Sequence, residues 1–246
     1  MAPTCHANVT CSPYATHMDQ MKRFAVYFAP RPGCLADATA ALLGWNSVAG
    51  CPVSHPDLPG LPLPLADLTT DPRKYGFHGT IRAPFRLAPS LTADDVAMTV
   101  HSLSCLLAPV RCDGLRVENL HGFLALTPEG DTTALNTLAE AVVRATNPLR
   151  AALSSAERDR RRPERLTDSQ RALLDEWGYP YVMHEFQFHL TLTNCLADAH
   201  IEQVACALTA YLGPTLPKPF VIEDLCVFGE DMQGRFHLLH RFALSG

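Results

Sequence analysis

The chain has 246 residues, 47% hydrophobic and 18% charged, enough apolar material for one large core or two packed halves and little left for extended disorder. Its formal net charge of -5 argues against a partner such as long nucleic acid, which calls for a broad basic face; a small anion needs only a local positive pocket. Nine cysteines stand singly, with no C-x-x-C pair, and read as reduced thiols of a cytoplasmic protein rather than a zinc or disulfide framework.

In chain order, residues 1–21 are polar and proline-containing, without the apolar stretch of a signal peptide, and are expected to be a flexible tail before a single domain over 22–246. Arg23 to Phe28 is a β-prone run stopped by Pro30-Arg31-Pro32-Gly33; Leu35 to Trp45 has helical density; Pro52 to Pro64 is a proline-rich connection. A strand over Tyr75–Phe85, a helix over Thr92–Leu107 and two strands within Arg111–Leu126, broken at His121-Gly122, complete the first half. The second half has a helix over Thr132–Thr146, a strand over Phe186–Thr193, a helix over Asp198–Leu212 and a hairpin from Phe220–Phe228 and Arg235–Ala243. Between them lies a helical, arginine-rich insertion at about 150–180, in which Thr167-Asp168-Ser169-Gln170 is a capping-box start to a helix ending near Gly178. No segment reaches the roughly 18 uninterrupted apolar residues of a membrane span.

This order predicts an α+β protein made of two pseudo-symmetric lobes, about 22–120 and 121–246, each a mostly antiparallel sheet with helices outside and a groove between them.

The chemical signal is a repeated motif. Tyr75-Gly76-Phe77-His78-Gly79-Thr80-Ile81 and Phe186-Gln187-Phe188-His189-Leu190-Thr191-Leu192 share aromatic, any, Phe, His, any, Thr, aliphatic in one order. On a strand, residues i and i+2 share a face, so each run offers an imidazole and a hydroxyl on one side and buries its apolar residues on the other. Two imidazoles supply a base for the attacking oxygen and an acid for the departing one, and two threonine hydroxyls donate to phosphoryl oxygens without adding charge. Each H-x-T alone is a weak pattern in a chain with 11 histidines; the matched pair carries the inference. His78 and His189 are therefore the candidate catalytic residues, with Thr80 and Thr191 binding phosphate.

Weaker candidates for substrate binding are Arg82, four residues along from His78 on the same strand face, its counterpart Thr193, and Tyr27. No His, Cys, Asp or Glu grouping has metal-ligand spacing, so neither a metal nor another cofactor is expected. Arginines at 158, 160, 161, 162 and 165 read either as a solvated helix face or as a lid over a second phosphate.

The paired motifs resemble the H-x-T/S signatures of the two-histidine (2H) phosphoesterase superfamily, whose two pseudo-symmetric α/β lobes flank a groove. Three longer runs, Arg23 to Pro30, Arg73 to His78 and Trp177 to Val182, are similar to the branch of that superfamily found with phosphonate (carbon–phosphorus lyase) operons. The resemblance implies a metal-independent cyclic phosphodiesterase whose partner is a small phosphorylated sugar or nucleotide, such as a phosphoribosyl 1,2-cyclic phosphate. The competing expectations are an RNA-end enzyme acting on 2′,3′-cyclic phosphates or 2′-5′ linkages, and a nucleotide-binding module without catalysis.

Overall fold

Strand β1 (Arg23–Phe28) sends alternate side chains into two environments. Phe24, Val26 and Phe28 enter the main core, while Ala25 and Tyr27, continued by Ala29, join a smaller cluster with Cys226, Phe228, Phe236 and Leu238. A sheet with helices over one face and a groove on the other is built on that division. The computed structural model describes residues 20–246. Most of the expected tail, with Cys5, His6 and Cys11, lies outside the described residues, whereas Met21 packs against the main core and belongs to the body.

After β1 come α1 (Cys34–Leu43), a two-residue ribbon of β2 (Trp45–Asn46) and β3 (Cys51–Pro52), the short α2 (Leu65–Leu68), β4 (Gly79–Phe85) and α3 (Ala93–Ser104). β5 (Val110–Cys112), β6 (Gly114–Leu120), β7 (Phe123–Glu129) and α4 (Thr133–Thr146) follow, then α5 (Ser155–Asp159) and α6 (Asp168–Trp177) in the insertion. β8 (Leu190–Cys195), α7 (Asp198–Leu212), β9 (Phe220–Ile222), β10 (Asp224–Glu230) and β11 (Phe236–Ala243) complete the molecule. The expected capping box forms at Thr167 and Gln170, and Gly178 closes α6 in the left-handed conformation. Likewise, His121 and Gly122 make the positive-φ turn between β6 and β7. Among the described residues no helix is long and apolar enough to cross a membrane.

Seven strands form one antiparallel sheet in the order β11-β10-β1-β4-β8-β7-β6. The α+β class with an antiparallel sheet and helices outside is as expected, but the halves of the sheet are not the sequence halves 22–120 and 121–246. β6, from before that boundary, pairs with β7 and so lies beside β8, whereas β10 and β11 return to lie beside β1. The reason is pairing: β1 buries both faces and leaves an edge that the C-terminal hairpin fills. The halves meet at β4 and β8, where one registered pair, Gly79 opposite Leu190, joins them.

The insertion packs on α4 through Leu173, Trp177 and Val182 around Val143. Arg160 and Arg161 thereby line a cavity with Arg82–Phe85 at the end of β4.

Candidate active site

The β4–β8 junction sets the geometry of both motifs. Opposed residues of an antiparallel pair point to the same face, and one step either way from Gly79 and Leu190 sets His78 across from Thr191 and Thr80 across from His189. Both histidines and both threonines thus stand on one face around a local two-fold. Phe77, Ile81, Phe188 and Leu192 enter the main core on the other face, as the alternation predicted.

Gly79 is required where it sits. A Cβ on it would overlap the ring of Phe188, so any larger residue would have to displace that ring or the strands it joins. The strand itself starts at Gly79 rather than Tyr75, because residues 72–74 form a 3-10 turn and Gly76 has φ +71°, outside the extended region. His78 lies in the lead-in, and β8 likewise begins one residue after His189.

Each imidazole is oriented by the carbonyl two residues before it. His78 Nδ1 lies 2.9 Å from the Gly76 oxygen and His189 Nδ1 lies 2.9 Å from the Gln187 oxygen. A carbonyl only accepts, so Nδ1 donates in both rings and Nε2 is the nitrogen left for proton transfer. The hydroxyls of Thr80 and Thr191 have no hydrogen-bond partner among the described residues.

A cavity of about 340 Å³ opens on this face, lined by His78, Thr80 and Thr191 together with Tyr27, Tyr75 and Tyr179. Phe123 and Asn194 complete its other side, Asn194 being anchored to the 67–71 segment through Asp67 O, Thr70 Oγ1 and Asp71 N. His189 is not in the wall; it stands beside it, its ring 5.7 Å from that of Phe123. His78 is the more enclosed of the two, with the Tyr27 ring at 4.1 Å and Tyr75 at 5.4 Å and a part-buried bond to Gly76 where that of His189 to Gln187 is exposed. Burial, helped by the nearby His189 and opposed by the bond to Gly76, lowers its pKa from 6.5 to about 4.

The weaker candidates divide. Tyr27 is fully buried, lines the cavity, and has a hydroxyl without a partner. Thr193 touches the cavity, but its hydroxyl donates to Asn194 O at 2.8 Å and accepts from Leu124 N at 3.0 Å, so it is a structural tie and not a free phosphate donor. Arg82 does not share the face of His78. Tyr27 pairs with Thr80 and Val26 with Arg82, so Ile81 is an extra residue that breaks the two-residue alternation. The displaced Arg82 runs to a second cavity, where its Nη1 donates to Trp177 O at 3.0 Å. Of the arginines at 158–165, Arg160 and Arg161 reach that cavity, while Arg158 pairs with Asp175.

Tyr75 and Tyr179 were not singled out from the sequence as site residues, although both lie in runs, Arg73 to His78 and Trp177 to Val182, that carried the family resemblance. Among the described residues no group of three or more His, Cys, Asp or Glu stands ready to hold a metal ion.

The chain belongs to the DUF1045 family, described as a protein of unknown function, which its residues 80–237 match. Two curated relatives carry the name ribose 1,5-bisphosphate phosphokinase PhnN. The one from Janthinobacterium sp. (strain Marseille) is 32% identical over 222 residues, covering 88% of this chain and 49% of the relative. That from Laribacter hongkongensis (strain HLHK9) is 31% identical over 219 residues, covering 86% and 49%. The chain thus spans about half the length of the curated relatives it matches. Solved structures similar to it include TT0787 of Thermus thermophilus, at 18% identity and TM-score 0.44 over 91% of this chain and 98% of that one. Escherichia coli LigT complexed with 3′-AMP aligns at 13% identity and TM-score 0.41, over 91% and 98%.

Proposed function

We propose that the protein is a metal-independent cyclic phosphodiesterase of the two-histidine type, opening the cyclic phosphate of a small ribose-type sugar with water. The observation that carries this reading is the Gly79–Leu190 register, which gathers two imidazoles, each presenting Nε2, and two uncommitted hydroxyls on one face beside a cavity. The enclosed His78, neutral in the free protein near pH 7, takes a proton from water through Nε2. The water oxygen bonds to phosphorus, the strained ring P–O bond breaks, and the more open His189 protonates the departing sugar oxygen. Thr80 and Thr191 donate to the non-bridging oxygens. The product is a phosphate monoester, and no covalent enzyme intermediate is needed.

The substrate we favour is 5-phosphoribosyl 1,2-cyclic phosphate, as in phosphonate breakdown. Opening it at the 2-oxygen yields ribose 1,5-bisphosphate, the compound in the names of the two relatives. Their kinase name has no counterpart in this sequence, which contains no G-x-x-x-x-G-K-[ST] run to cradle a nucleotide phosphate.

The test is turnover of purified protein on a panel of cyclic phosphates, with and without EDTA. The ribosyl 1,2-cyclic phosphate should be hydrolysed at a rate that EDTA leaves intact, and His78→Ala or His189→Ala should each lower kcat by at least about 10²-fold. Loss with EDTA and recovery with zinc or manganese would replace this mechanism, and turnover of 2′,3′-cyclic nucleotides alone would point to RNA ends. An ester whose leaving group needs no proton should rescue His189→Ala and not His78→Ala; the reverse would exchange their roles.

A further inference from the structure

A second cavity, about 200 Å³, shares Tyr75, Ala83, Pro84 and Tyr179 with the wall of the first, so the two open along a common side. It is too small for a large ligand but suits a single anionic group. Arg82, Arg150, Arg160 and Arg161 line it, and none of the four forms an ion pair with a carboxylate among the described residues. The one carboxylate in its wall, Glu157, is held by both nitrogens of the Arg86 fork at 2.8 Å and by the Ser154 backbone.

Arg82 gives the cavity its built character. It is 1% exposed, its Nε has no partner, and its other nitrogens rest on neutral groups, Trp177 O at 3.0 Å and Asn147 Oδ1 at 3.4 Å. Arg150 reaches the same Asn147 oxygen, at 3.2 Å, and otherwise bonds only backbone carbonyls. Arg161 is stacked over the ring of Tyr179, 4.7 Å from its centroid, at the border of the two cavities. Guanidinium groups without ion-pair partners repel one another, and both burial and the neighbouring Arg150 lower the pKa of Arg82 to about 10. A bound dianion would relieve that repulsion and fill the guanidinium donors.

We infer that this cavity is a subsite for a second phosphate of the same substrate molecule. The sugar then lies across Tyr75 and Tyr179, its cyclic phosphate at the histidines and a phosphomonoester among Arg82, Arg150, Arg160 and Arg161. This deepens the cyclic phosphodiesterase reading and rests on it for the first phosphate only. It also gives Arg82 a different task from the one its strand position suggested.

Two measurements separate the inference from the reading beneath it. The first compares kcat/KM for ribosyl 1,2-cyclic phosphate with and without a 5-phosphate, in the natural chain and in Arg160→Gln/Arg161→Gln, whose changes are at the surface and spare the core. The natural chain should favour the phosphorylated substrate, and the double variant should reduce that preference by about tenfold or more, as expected for lost charge-assisted bonds. Equal efficiency on both substrates, or a preference unchanged in the variant, would overturn the subsite. The second titrates ribose 5-phosphate and inorganic phosphate into the natural chain, His78→Ala and the double-arginine variant. Binding of ribose 5-phosphate retained by His78→Ala and weakened in the arginine variant supports the subsite even if no cyclic phosphate is turned over. Absence of binding, or loss in His78→Ala alone, removes it.

Discussion

A buried hydroxyl without a hydrogen-bond partner destabilises a folded protein by about 1–3 kcal/mol, and the phenol of Tyr27 is fully buried and unpartnered against the cavity that His78 lines. Tyr27→Phe should therefore leave the melting temperature unchanged or raise it while KM increases. A variant that lost stability and kept its KM would make Tyr27 a core residue only. His78 gives a second test, in pH. Its pKa is about 4 in the folded state against 6.5 unfolded, so the unfolded chain binds the extra proton between those values and stability declines as pH falls through that window, levelling below it. His78→Gln should decline less over the same range, and the His78 ring should titrate well below 6.5 by NMR; an ordinary midpoint would refute the enclosure argued for it. At this scale the sequence was legible for the four motif residues, because a two-residue period on a strand needs no knowledge of neighbours. The strand face of Arg82 was not legible, because the bulge at Ile81 is set by pairing with β1, nor was the engagement of the Thr193 hydroxyl with Leu124 and Asn194.

β4 and β8 are held together by packing more than by a ladder, since the register between them is one pair, with Phe188 lying over Gly79. Gly79→Ala should push the strands apart, lower stability by about 1–3 kcal/mol as an overpacked core does, and reduce kcat more than any change in KM, because it separates His78 from Thr191 and Thr80 from His189. Circular dichroism with steady-state kinetics checks both; a fully active, fully stable variant would show that the register does not hold the site. The sequence displayed the two motifs and their faces but not this register. Nothing within either run says that glycine in one meets leucine in the other, and the carbonyl tethers at Gly76 and Gln187 depend on backbone turns that the strand pattern hid.

The fold class and the five longer α-helices were readable from periodicity, whereas the short α2 and α5 and the assembly of the halves were not, because single turns and strand partners far apart in the chain leave no local signal. Tyr27 is backed by Phe228, ring centroids 5.1 Å apart, and by Phe236 at 6.0 Å, both from the C-terminal hairpin. Phe228→Ala should thus destabilise by about 3–5 kcal/mol and also loosen the wall against which His78 packs, so that the folded fraction is slower as well as scarcer. Calorimetry paired with turnover corrected for folded fraction distinguishes this from stability loss alone; unchanged corrected turnover would show that the hairpin serves the fold and not the site.

The pairing of Tyr27 with Cys226 has a consequence in time. On the ribosome β1 emerges before β10 and β11, so its outer edge stays unpaired, and the Tyr27 face lacks Cys226, Phe228, Phe236 and Leu238, until they have been translated. The pair of histidine motifs can meet earlier, since β4 and β8 both precede the hairpin. Nascent chains arrested after β8 would therefore carry both histidine motifs and every residue that lines the pocket, but not the hairpin that backs Tyr27, a state in which chaperone binding is the expected fate.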